Sequence, residues 1–274
     1  MKQSPPQVAN LFMLFLFSYN VLLSAGIRFF YWEFWHGTDI GLFVRSPWMM
    51  VLNQVLGLLL PFFIFTAISE PVPIAKRPLG LFNILLIIVI SLLLQPYMML
   101  ISGLTSLLIP NPVIYVLSDM ALLPIPVALF VIAFTPAICE ELVFRGFIQA
   151  RYESYHIAAS AIVNGLFFGI IHMNLHQFSY AFVMGVIFAL MVHFTRSIFS
   201  AILSHFIVNA AQFGLAFANS EHLGSPDQNQ LMEAIIAVAR IALFILPVLI
   251  IFVYIFITHN NRKEREMSCT ETRV

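Results

Sequence analysis

The chain has 274 residues, is 61% hydrophobic and only 9% charged, and has a formal net charge of zero at pH 7. A soluble domain carries about a quarter charged residues, so the composition excludes an ordinary soluble fold, and the balanced charge leaves no electrostatic footprint for nucleic acid. Long continuous apolar runs, rather than alternating strands of about ten residues, exclude a β-barrel and predict an all-α polytopic transmembrane helix bundle.

Eight spans are expected in chain order. The first covers about Val8 to Phe30. Lys2 and Ser24-Ala25-Gly26 outline a cleaved signal, but apolar character continues through Trp32, which favours a retained span. The second covers Trp48 to Ser69 with Pro61 inside it. The third covers Leu79 to Ile109 and needs tilt or a break near Gln95-Pro96. The fourth starts near Pro124 or Pro126 and reaches Tyr152. The remaining spans are Ile157 to Met173, Gln177 to Phe194, Ile198 to Ala218 and Met232 to Thr258. Glu70 to Pro78 and Asn219 to Gln230 read as loops. Residues 1–259 form one transmembrane domain, and residues 260–274 read as a polar, disordered tail.

The cations set the orientation. If both termini are cytoplasmic, Lys2, Lys76, Arg77, Arg151, Arg196, Arg262, Lys263, Arg265 and Arg273 lie on the cytoplasmic side, and the opposite loops keep only Arg28 and Arg45. The two cysteines, Cys139 and Cys269, exclude a disulfide framework. Cys139 reads as a small buried hydrophobe. Cys269 is not the fourth residue from the end, as prenylation would require.

Chemistry concentrates in Phe134 to Gln149, where Glu140 and Glu141 sit in a run apolar enough to enter a bilayer. Carboxylates at that depth are costly and mark functional sites by default. Helix neighbours point about 100° apart, so the two acids serve different faces. Arg145 follows Glu141 by four residues and pairs with it, which leaves Glu140 available as a general base or acid. Two salt-bridged structural acids, or an ion pathway, would use the same doublet.

Of eight histidines, His172 and His205 lie deep in apolar sequence. His36, His156, His222 and His259 fall in loops or at span ends, and His176 and His193 read as interfacial. Asn209 shares a helix face with His205, and the two are candidate donors for an oxyanion. Ser204 adjoins His205, but adjacent helix residues do not face each other, so a Ser–His dyad is excluded. With Arg151, His156 and Arg196 marking one surface, Glu140 lies roughly 16 Å deep, His172 roughly 24 Å, His205 roughly 13 Å and Asn209 roughly 20 Å, at about 1.5 Å per residue. Three spans thus bring polar groups towards a common level. The set suits a water activated by Glu140 and oriented by His172, with His205 and Asn209 stabilising a tetrahedral oxyanion: amide hydrolysis. Zn²⁺ on Glu140, His172 and His205 is the metal alternative, although the His-Glu-x-x-His signature is absent.

These residues form three ordered motifs: Glu140-Glu141 with Arg145, Phe168 with His172, and His205 with Asn209. Together with the FRGFIQ flank, Gly185, Thr195 and Ser197, they resemble the CAAX prenyl protease and bacteriocin-processing (CPBP, Rce1-type, Abi) family over about residues 129–218. The resemblance implies an eight-helix intramembrane endopeptidase with a cavity open to the cytoplasm. It also implies a metal-free mechanism with the same four catalytic residues, supported by Glu141 and Arg145. The implied partners are the bilayer of a cell membrane and a peptide or protein substrate, lipidated or membrane-embedded. The rival reading is a non-catalytic immunity or scaffold protein of the same fold. A transporter comes third, because no internal repeat is visible.

Overall fold

The computed structural model describes residues 4–153, 155–218 and 228–271. Ten helices carry it: α1 (Pro5–Trp35), α2 (Asp39–Val44), α3 (Pro47–Ile68), α4 (Leu81–Ser106), α5 (Val113–Ala121), α6 (Ile125–Gln149), α7 (Ile157–Ile171), α8 (Leu175–Thr195), α9 (Ile198–Ala218) and α10 (Gln228–Glu271). Among the described residues there is no β-strand, and one isolated bridge pairs Lys76 with Ser197. The protein is an all-α polytopic bundle.

Among the described residues, seven helices are long and apolar enough to cross a membrane. The fifth expected span, α7, has 15 residues, about 22 Å, against a hydrocarbon core of about 30 Å. It stops because Met173 takes a left-handed conformation (φ 48°) and Asn174 then caps α8, its Oδ1 accepting from the backbone N–H of His176 and Gln177 at 2.9 and 3.2 Å. The α7–α8 hairpin packs backbone to backbone. A Cβ on Gly185 would lie 2.7 Å from Gly165 Cα, so only glycine fits both positions. Two short helices, α2 and α5, were not expected from the sequence.

Prolines stand at three of the helix irregularities. α4 breaks at Leu94 and restarts at Gln95 with Pro96 in its first turn, where the Gln95-Pro96 pair predicts a break. In α3 a π-helical turn, Val55–Leu59, precedes Pro61. In α6 the π turn Phe130–Phe134 precedes Pro136, and the Phe130 carbonyl accepts from both the backbone N–H and the Oγ1 of Thr135, the latter at 2.8 Å.

The polar tail corrects an expectation. It continues α10 as helix to Glu271 instead of becoming disordered at Asn260. Buried Asn260 exchanges side-chain hydrogen bonds with Asn83 on α4, Glu264 pairs with Arg196, and Arg262 pairs with Glu266 one turn on. Residues 272–274, Lys2, His222, Asp227 and most of the loop expected at Asn219 to Gln230 lie outside the described residues, as does the side chain of Cys269.

One face of the bundle is tied together by contacts among its ends. Arg151 donates to Ser69 Oγ and the Glu70 carbonyl, Tyr152 to Asn10 of α1, and Arg196 to Glu153 and Glu264. This basic face therefore holds the start of α1 and the end of α10. Arg28 lies eighteen residues along α1 from Asn10, about 27 Å towards the opposite face.

Candidate active site

The site is built on α6, whose middle is buried on all sides. Glu141, fully buried, meets two bases. Arg145 Nη1 donates to its Oε1 at 3.0 Å, and His205 Nδ1–H donates to the same oxygen at 2.8 Å. Arg145 also donates from Nη2 to the Gly185 carbonyl at 2.9 Å, and its guanidinium lies 4.7 Å from the Phe168 ring centre and 5.4 Å from that of Phe188. The glycine contact that joins α7 to α8 thus also exposes the carbonyl that holds the arginine. The Glu141–Arg145 pair expected from spacing is present. The anchoring of His205 on Glu141 was not visible in the sequence.

Glu140 points elsewhere. Gln54 on α3 donates Nε2–H to its Oε1 at 2.8 Å. Its Oε2 is buried, has no hydrogen-bond partner in the protein, and lies 3.9 Å from His205 Nε2. A buried carboxylate with one oxygen fixed and the other free is poised for a ligand or a water. A π-helical stretch, Leu142–Gln149, begins directly after the doublet, and such bulges recur at functional sites.

His172 caps the C-terminus of α7. Its Nδ1 donates to the Phe168 carbonyl at 2.7 Å; that bond leaves Nε2 as the free ring nitrogen. Asn209 spends one Nδ2–H on the Ile132 carbonyl at 3.0 Å and keeps the other. His205 stacks on Phe188, with ring centres 5.2 Å apart. Ser204 turns away to Ser91 Oγ at 2.7 Å, so no Ser–His dyad forms. His176, expected at an interface, is fully buried and bonds Ser106 Oγ and the Ser102 carbonyl.

Glu140, His172, His205 and Asn209 line one cavity of about 220 Å³, together with Gln54, Tyr180 and Gln212. Those last three were missed. A lone Gln in the apolar second span was the available signal for Gln54. The cavity continues into a mostly apolar one of about 280 Å³ that shares Tyr180 and Gln212 and reaches Asn111, between α4 and α5. Among the described residues no three His, Cys, Asp or Glu side chains group as ligands for a metal ion. A metal on Glu140, His172 and His205 would have to use Glu140 Oε2 and the two Nε2 atoms, because Glu140 Oε1 and both histidine Nδ1 atoms are engaged. No step is derived through a metal.

The fold and site define a multi-pass membrane protein with a buried Glu/His/His/Asn cavity inside its bundle. Residues 122–211 match the family model described as Type II CAAX prenyl endopeptidase Rce1-like. Over that segment the chain is similar to the CAAX protease family, a family of membrane peptidases, as the three motifs indicated. No curated protein and no solved structure matches the chain.

Proposed function

We propose that the chain is an intramembrane endopeptidase of a cell membrane that hydrolyses a peptide bond without a metal. The reading is carried by one observation: Glu140, His172, His205 and Asn209, from three helices, line a single buried cavity with a carboxylate oxygen left unbonded.

A water between Glu140 Oε2 and His172 Nε2 gives a proton to the carboxylate, and its oxygen attacks the carbonyl carbon of the substrate. Negative charge moves to the carbonyl oxygen. Asn209 Nδ2–H and His205 Nε2–H donate to it, in a site where low dielectric strengthens each bond. Glu140 then passes the proton to the leaving nitrogen as the C–N bond breaks. Glu141 and Arg145 touch no substrate; they hold the His205 ring. Gln54 restricts Glu140 to one basic oxygen. The substrate is a peptide or protein, lipidated or embedded in the bilayer.

The test uses the purified full chain and its Asn209→Ala variant in detergent with a peptide library, read by mass spectrometry. Loss of one oxyanion donor lowers kcat by about 10²–10³ with KM little changed. Equal rates in the two proteins, or no cleavage by either, contradict the reading. The second outcome would favour a non-catalytic partner-binding protein.

A further inference from the structure

The catalytic cavity lies off-centre in the bundle, and the direction in which it extends carries a consequence for the substrate. Distances along the helices fix its position. His205 is nine residues from Arg196 on α9, Gln212 sixteen and Ala216 twenty. At about 1.5 Å per residue these lie roughly 13, 24 and 30 Å from the basic face. His205, Gln212 and Ala216 line the two connected cavities in that order. Asn111 at the far end follows α4, which starts beside the basic face and runs away from it. From His205 outward, the open volume therefore runs towards the face opposite the basic one.

Towards the basic face the way is closed. Arg145 and Glu141 form a buried plug, backed by Phe144, Phe147, Ile148 and Phe188, each no more than 1% exposed. A separate small cavity of about 40 Å³, entered beside Glu153 and Arg196, ends at Arg145. Glu140 lies on the other side of the arginine, in the larger cavity and in a further one of about 170 Å³ lined by Asn20, Asn53 and Leu58.

The charges name the faces. Lys76, Arg77, Arg151, Arg196, Arg262, Lys263 and Arg265 sit at the closed face, and Arg28 and Arg45 at the other. Basic residues in short loops remain cytoplasmic. We propose that the active cavity is loaded from the extracytoplasmic side, and that the substrate is a polypeptide segment presented on that side of the membrane, with apolar residues to fill the Met98, Ile114 and Leu215 trough. This deepens the peptidase reading and rests on it for the word substrate. It departs from the cytoplasmic opening that the family resemblance implies. A C-terminal Cys motif modified in the cytoplasm would reach the wrong face.

The experiment is accessibility labelling of the full chain in intact cells and in inverted membrane vesicles, with a membrane-impermeant maleimide. Asn111→Cys and Gln212→Cys report the cavity and Lys76→Cys the basic face; the parent chain, whose Cys139 is buried, gives the background. The proposal expects Asn111→Cys and Gln212→Cys to label at least tenfold faster in cells than in inverted vesicles, and Lys76→Cys to show the reverse. The opposite pattern, or no cavity labelling in cells, overturns it. A C-terminal green fluorescent protein on the unsubstituted chain gives a second readout: fluorescence is expected, and its absence in full-length, membrane-inserted fusion counts against the assigned orientation. Labelling does not depend on turnover. A failed peptidase assay with the expected labelling refutes the enzyme and leaves the topology standing, and the reverse result separates them equally.

Discussion

Glu141 is the residue through which the buried charges are organised. It accepts from Arg145 and from His205 while fully buried. Removing one partner of such a pair leaves an uncompensated charge in low dielectric, at a cost of about 3–5 kcal/mol. Arg145→Ala is therefore expected to lower the thermal unfolding midpoint in detergent sharply and to abolish activity; Arg145→Lys, which keeps charge but not the two-point reach to Glu141 and Gly185, recovers only part of the stability. An unchanged midpoint in Arg145→Ala would show that the pair is solvated. This pair was legible because a spacing of four residues places acid and base on one helix face. The bond from His205 to Glu141 spans sixty-four positions and that from Gln54 to Glu140 eighty-six, and no local rule links residues so far apart. The sequence reading left His205 as a free oxyanion donor. In the structure only its Nε2 is free for that role, because Nδ1 is committed.

At the scale of elements, the helices were readable because twenty apolar residues have few alternatives in a bilayer. The break in α4 followed from Pro96. The extent of α7 was read within two residues, but not that 15 residues leave it too short to cross; the left-handed Met173 follows its end. Helicity beyond Asn260 was hidden as well: it depends on contacts to Asn83 and Arg196 made by tertiary packing. The α7–α8 contact makes a prediction. A Cβ on Gly185 would meet Gly165 Cα at 2.7 Å and Phe168 Cβ at 3.0 Å. Gly185→Val must push the hairpin apart, which displaces Phe168 and the carbonyl that holds Arg145. The expected result is destabilisation by about 1–3 kcal/mol, measured by thermal unfolding in detergent, with a loss of activity larger than the stability change explains. Wild-type stability and activity in Gly185→Val would mean that the hairpin adjusts without disturbing the site.

At the scale of the molecule, the bundle divides into a basic end closed by side-chain bonds and an opposite end that contains the cavity. The core segment, residues 122–211, carries the family match, and all four proposed catalytic residues lie within it. Gln54, on α3, lies outside. The site is therefore completed by a part of the chain that the family segment does not include. The central claim is that Glu140 activates water for peptide hydrolysis. Its most direct measurement compares the wild-type chain with Glu140→Gln, matched for thermal stability, on one cleaved peptide in detergent with a chelator present. The account predicts that chelator leaves the wild-type rate unchanged and that the substitution lowers it by at least about 10²-fold. Equal rates in the two proteins, or wild-type activity lost on chelation and restored by Zn²⁺, would contradict it.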